Sequence, residues 1–371
     1  MPVDNLLFGA TLALIVMGLW AVFDSSYVKT LDSSLTHNDA LFFVKRQMVG
    51  VVFGLVSLTV MMRIGYWKLR KLAVPLMITA LVLLLAVWIP HVGRVENHAA
   101  RWIKMGPLQF QPSELAKIAV ILYVSALLSR PHCNMKSFMD GIFPALLVTA
   151  LALALIEREP DLGTAFVLFL AFMTILYLAG AEMHHLLAIL AGAGLVVLMF
   201  GFVFGHRQGR ITAFLHPDKD KEGIGYQIFH SRLAVGSGRV TGVGLGHGRE
   251  KYYLPQGDSD FIFATVAEET GFAGSVVMLL LMGLVGWRGF DIAYKTRDRF
   301  GMLLAIGISS LISWQAITNV AVATASIPAT GVPLPFISYG STSLIVLLTG
   351  IGVLLNIAQN PVPPSEGRAI T

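Results

Sequence analysis

Charge is what this 371-residue chain has least of. Asp, Glu, Lys and Arg make up 13% of it, against 55% hydrophobic residues. Soluble domains carry roughly 25% charged residues, so a water-soluble globular reading is excluded. Cysteine is almost missing: Cys133 stands alone. No intrachain disulfide can form, and with no partner in sequence Cys133 reads as a bystander thiol. The net charge is only +5, and no basic patch is interleaved with aromatics, so nucleic acid is not a partner. The histidines show no zinc spacing. The first apolar run, Leu6 to Phe23, lacks a basic leader and a small-residue cleavage site, so it reads as a span rather than a cleavable signal. The short, proline-rich tail 359–371 leaves no room for a soluble domain.

What the chain does have is long apolar runs, recurring along its whole length. Runs near ~18 residues or more are the mark of membrane helices. They predict ten spans, near 5–23, 45–62, 72–90, 112–129, 138–156, 163–180, 184–205, 261–287, 300–324 and 340–358. The expected fold is an all-α polytopic membrane protein. Residues 1–371 form a single transmembrane domain of about ten helices with one large extracytoplasmic loop, 206–260. Basic residues gather after spans two (Arg63, Lys68, Arg70, Lys71), four (Arg130, Lys136) and eight (Arg288, Lys295, Arg297, Arg299). That side is expected to be the cytoplasm, with both termini on it.

Polar chemistry is therefore conspicuous where it occurs. LPQGDSDFIFATVAEETG (254–271) puts Asp260 where a polar loop meets an apolar run. Asp260 is either a helix N-cap or a general base in a partly desolvated setting. Glu268 and Glu269 lie deeper in the same run and point to a wet cavity along span eight. In QFQPSELAKIAV (109–120), Glu114 and Lys117 share one helix face at i, i+3. They are an internal ion pair or part of a site. In AARWIKMG, Arg101 and Lys104 flank Trp102, as an interfacial belt or a phosphate clamp. Lys45 and Arg46 read the same way. Asp161 in EREPDLGTA suits a cap on span six. GSGRVTGVGLGHG (236–248) is not a nucleotide loop, since no strand precedes it; it reads as turns, or as a backbone nest for phosphate. ATGVPLPFISYGSTSL (329–344) breaks the chain before span ten and turns Ser338 and Tyr339 inward, with no histidine base near the serine.

Taken in order, these segments resemble the SEDS family of bacterial wall-synthesis proteins, which includes FtsW, RodA and SpoVE. The likeness runs through FFVKRQ, YWKLRKLA, ARWIKMGPLQFQPSELAKIA, EPDLGTA, GIGYQIFHSRLAVGSG, GVGLGHGREKYYLP, SDFIFATVAEETG and GVPLPFISYG. It implies a peptidoglycan glycosyltransferase that polymerises lipid II outside the bacterial cytoplasmic membrane. Asp260 inherits the essential aspartate. Arg101, Glu114 and Lys117 inherit substrate-binding roles, and Arg46, Asp161 and Ser338 complete the candidate set. A divalent cation (Mg or Mn) is expected at the pyrophosphate, with unassigned ligands and no organic cofactor. The expected partners are lipid II, a class B penicillin-binding protein and divisome or elongasome proteins. Small residues in spans eight and nine (Gly271, Ala273, Gly274, Ser275; Ser309, Ser310, Ser313) suggest a lipid-facing groove for the partner's helix. GVGLGHG and GIGVLLNIAQ favour the FtsW-like, cell-division branch. Gln256, His230 and Ser341 depart from the family's usual residues. A lipid II flippase and a non-catalytic scaffold are the competing functions.

Overall fold

The computed structural model describes residues 3–31, 39–89, 93–96, 99–105, 108–203, 213–214, 216 and 223–362. Its long helices follow the apolar runs: α1 (Asn5–Leu31), α2 (Phe42–Arg63), α3 (Leu69–Ala86), α4 (Pro112–Leu128), α5 (Phe143–Arg158), α6 (Leu162–Leu178) and α7 (Met183–Val203). After a shorter α8 (Ile224–Ser237) come α9 (Ile262–Lys295), α10 (Arg299–Ala323) and α11 (Ser341–Gln359). Ten of these helices fall on the ten expected spans. Among the described residues seven apolar segments are long enough to cross a membrane outright, and α6 and the Met183–Val196 part of α7 are shorter apolar stretches. The chain is a multi-pass membrane protein whose spans are all helices.

Three departures matter. Between α3 and α4 lies a small antiparallel sheet, ordered β1 (Gly93–Glu96), β2 (Ala99–Met105), β3 (Leu108–Phe110). Arg94 pairs with Trp102, and Ile103 with Phe110. The expected 206–260 loop contains α8, while most of 204–222 lies outside the described residues. The helix α9 is two helices joined across a kink at Gly271, whose φ of 67° and ψ of −165° are open only to glycine.

Close crossings of small residues hold the bundle together. A Cβ at Gly50 would sit 2.9 Å from Ser341, and one at Gly352 2.5 Å from the Leu58 carbonyl, so α2 and α11 touch almost backbone to backbone. In the same way Gly289 of α9 meets Ser309 of α10, and Gly286 meets Ser313. Ser309 and Ser310 are buried. Of the serines suggested for a lipid-facing groove, Ser309 and Ser313 are thus engaged in the α9–α10 contact, because small residues are what lets these two helices close on each other.

The basic loops do gather at one end. Tyr66 stacks on Phe300 at 6.3 Å, Arg70 and Arg130 line one shallow pocket, and Arg288 Nε donates to Asp4 at 3.1 Å. Arg297 N donates to the Pro361 carbonyl at 3.2 Å, so both described ends of the chain lie there. The opposite end carries the sheet, α8 and the turn before α9.

Candidate active site

Asp260 sits in that turn. The cap position of α9 falls on the next residue, Phe261, which makes no side-chain cap bond. Asp260 is half-buried and held by its main chain. Asn319 of α10 donates to the Asp260 carbonyl at 2.8 Å, and Ser338 Oγ donates to the preceding Ser259 carbonyl at 2.6 Å. Tyr339 N donates to the Asp258 carbonyl at 2.9 Å. A Cβ at Gly331 would lie 3.6 Å from Asp260 Oδ2, so the carboxylate faces the 327–340 segment.

That irregular segment is the hub of the site. It lies packed in protein, as non-helical backbone in a membrane protein must. Phe336 is buried within it at a φ of 64°, a strained conformation for an aromatic residue that its neighbours impose. Gly18 of α1 would bring a Cβ 2.4 Å from the Phe336 carbonyl. Gln47 of α2 donates to the Ser338 carbonyl and accepts from Gly340 N, each at 3.1 Å. Ser338 itself donates to Ser259 and accepts from Leu334 N at 2.8 Å. Its hydroxyl works as a staple between two loops.

Beneath the hub a polar chain descends into the bundle. Asn319 also donates to the Val332 carbonyl at 2.7 Å. One turn further into α10, Gln315 donates to the Pro333 carbonyl at 3.0 Å and accepts from Lys117 Nζ at 3.2 Å. Lys117 pairs with Glu114 at 2.9 Å, and both side chains are only 2% exposed. The i, i+3 spacing brings this pair together as expected. Burial sets it under the hub, as a support, and not as a surface that a pyrophosphate could touch in this conformation. Gln315 and Asn319 stand out in the sequence only as polar residues in an apolar run; that intramembrane polarity was the available signal.

The remaining candidates ring the hub. Asp161 caps α6, accepting from Thr164 N at 3.1 Å; its other oxygen accepts from Gln111 at 3.2 Å and Ser113 at 3.4 Å. Its local capping role is plain, and its burial leaves little for a substrate to reach. Two residues on, a Cβ at Gly163 would lie 2.4 Å from the Thr330 carbonyl, which docks α6 against the hub. Arg101 of β2 is half-buried. It donates from Nε to the Glu159 carbonyl at 2.8 Å and from an Nη to the Pro160 carbonyl. Arg46 lies at the start of α2 with its guanidinium 5.0 Å over Phe42, and its carbonyl accepts from Ser341 at 3.0 Å. Lys104's side chain lies outside the described residues.

Glu159, beside Asp161, is an additional feature. It is fully buried, and neither carboxylate oxygen has a hydrogen-bond partner among the described residues. Burial and then the Asp161 charge push its carboxyl up to about 8, against the opposing pull of Arg101.

Glu268 and Glu269 have a different task from lining the expected wet cavity. Glu268 Oε1 accepts from Arg249 N at 2.8 Å and Oε2 from Glu250 N at 3.1 Å. Glu269 accepts from Gly246 N at 2.7 Å and Gly248 N at 3.0 Å. The glycine-rich turn is indeed a nest of N–H groups, but its anion is built into the chain. Gly242, Gly244 and Gly246 all take positive φ there.

Among the described residues no three His, Cys, Asp or Glu side chains converge as a metal would need.

The family model for the FtsW/RodA/SpoVE cell cycle proteins matches residues 4–361. Stage V sporulation protein E of Bacillus subtilis is 39% identical over 359 residues, covering 96% of this chain and 97% of the relative. A probable peptidoglycan glycosyltransferase FtsW of Geobacter sp. strain M18 is 37% identical, covering 96% of each. Among solved structures, a chain from a peptidoglycan synthase complex that coordinates polymerization and crosslinking superposes with a TM-score of 0.79 at 28% identity, covering 97% of this chain and 99% of that one. RodA of Thermus thermophilus, a rod shape determining protein, superposes with a TM-score of 0.71, also at 28% identity, covering 98% and 99%. With a family match over nearly its whole length and a bundle that closes in the same way, the chain belongs to the FtsW/RodA/SpoVE family.

Proposed function

We propose that this chain is a peptidoglycan glycosyltransferase that polymerises lipid II on the outer face of the bacterial cytoplasmic membrane, with Asp260 as general base. The observation that carries the reading is the setting of Asp260: half-buried, in the turn that leads into α9, and fixed through its own carbonyl. A carboxylate so held, at the border between a polar mouth and an apolar bundle, has the desolvation and the fixed aim that a base needs. Its carboxylate takes the proton of the acceptor sugar's C4 hydroxyl as that oxygen attacks the anomeric carbon of the second lipid II. The bond from the anomeric carbon to phosphate breaks, and the lipid pyrophosphate leaves with the electron pair.

Arg101 and Arg46 are the candidate cations for that pyrophosphate, and the buried Glu114–Lys117 pair supports the floor. The described residues offer no metal cage. An Mg or Mn ion at this site would arrive with the substrate phosphates and would take few protein ligands. The excess of Lys and Arg at one end of the bundle supports a cytoplasmic placement for that end and for both described chain ends. The relatives quoted at 39% and 37% identity are a sporulation protein and an FtsW, while the RodA structure stands at 28%, which favours the septal branch over elongation. The likeness to a synthase complex supports a class B penicillin-binding partner that supplies crosslinking.

The test is the purified full chain with lipid II in detergent, with and without such a partner. Glycan polymer is expected from the wild type, and Asp260→Asn should lose about 10²-fold or more. A wild type that makes no polymer but exchanges lipid II across vesicle leaflets would be a flippase. A wild type that does neither, with Asp260→Asn silent in cells, would be a scaffold.

A further inference from the structure

We infer that Lys251 is a positioning residue for Asp260, clamping the turn that carries this aspartate onto α1 and onto the break in α9; the inference rests on the glycosyltransferase reading above. Lys251 lies in the 250–252 turn, and its side chain is 4% exposed. Its ammonium donates to Asp24 of α1 at 2.6 Å, to Glu269 of α9 at 2.8 Å and to the Gly246 carbonyl at 3.2 Å. One cation thus joins three parts of the chain, and Asp24 is 227 residues away from it. Burial works against the ammonium, but Asp24 and Glu269 outweigh it and hold Lys251 above its ordinary range. The two carboxylates therefore favour the charged form of the ammonium.

The clamp reaches Asp260 through continuous turns. Leu254 N donates to the Glu250 carbonyl at 3.0 Å, Gly257 N to Leu254 at 3.2 Å, and Ser259 N and Phe261 N both to Gln256 at 3.2 Å. There is no slack segment between Lys251 and Asp260. On the other side, Gly18 of α1 packs against Phe336 of the hub. A single helix therefore backs both supports of the aspartate: the turn through Asp24, and the 327–340 segment through Gly18. Glu269 keeps its two backbone donors whatever happens to Lys251, while Asp24 takes Lys251 on Oδ1 and its buried Oδ2 has no hydrogen-bond partner among the described residues. The surroundings of Lys251 are thus built around its charge, and an apolar side chain there leaves Asp24 buried and unmatched.

The experiment uses the full chain in detergent with lipid II and compares Lys251→Met, Lys251→Arg, Asp24→Asn/Lys251→Met and Asp260→Asn. Lys251→Met is expected to lower kcat about tenfold or more with KM within about threefold, because a displaced base loses rate rather than binding. Lys251→Arg should recover much of kcat. The double variant removes one charge of each sign, so it should regain thermal stability but not kcat; it carries the test if Lys251→Met does not fold. The inference is overturned if kcat per folded molecule in the double variant lies within about twofold of wild type, or if activity simply follows the melting temperature across the set. Failure of the parent reading looks different: either the wild type makes no glycan, or Asp260→Asn equals it.

Discussion

Asn319 divides one amide between two carbonyls, donating from Nδ2 to Asp260 at 2.8 Å and to Val332 at 2.7 Å. The proposed base and the floor beneath it are thereby fixed relative to each other by a single side chain on a well-packed helix. Asn319→Leu keeps the volume and removes both bonds, leaving the part-buried Asp260 carbonyl and the buried Val332 carbonyl unmet, the latter at about 1–3 kcal/mol. We expect a lower melting temperature and a polymerisation kcat reduced by about tenfold or more. Rates at saturating lipid II, normalised to folded protein, check this.

The Glu114–Lys117 pair predicts a non-additive cycle. Each single variant, Glu114→Gln or Lys117→Met, strands a buried charge and should cost about 3–5 kcal/mol. The double variant removes both charges and should melt closer to wild type than either single does. Three melting curves in detergent decide it; additive losses would mean that the pair is not coupled.

Glu159 gives stability a pH dependence of definite sign. Its carboxyl titrates at about 8 in the folded chain, above the ordinary 4.5. Between those values the native state binds more protons than the unfolded one. The stability this carboxyl contributes is therefore full below about pH 4.5 and lost as pH rises through about 8. Glu159→Gln keeps a neutral side chain of the same shape. It should melt with wild type near pH 5 and above it near pH 8, and parallel curves across that range would rule out a buried acid here.

The spans were legible because lipid demands long uninterrupted apolar runs, and such runs survive in any register. Asp260 was legible because it stands at the border of one, and Glu114 with Lys117 because helical spacing alone brings them together. The other parts of the site rest on partners that spacing cannot reveal. Gln315 and Asn319 bond to carbonyls 18 and 13 residues further on, and only the fold of the intervening segment brings those within reach. Lys251 and Asp24 are mated across most of the chain. Arg101 looked like an interfacial cation because the residues around Trp102 alternate weakly; that they form a strand depends on pairing with β1 and β3. Glu268 and Glu269 looked like lining of a cavity because the helix break at Gly271 does not interrupt the apolar run.

The glycine-rich nest has a consequence for how the chain is made. Its N–H groups, from Gly246 to Glu250, leave the ribosome before the two carboxylates that receive them, and those carboxylates belong to the next helix. Until α9 has entered the bilayer, the turn has nothing to close around. The last outer elements to take shape are therefore the ones beside Asp260, so a chain halted before residue 269 would carry most of its helices in place and no assembled aspartate.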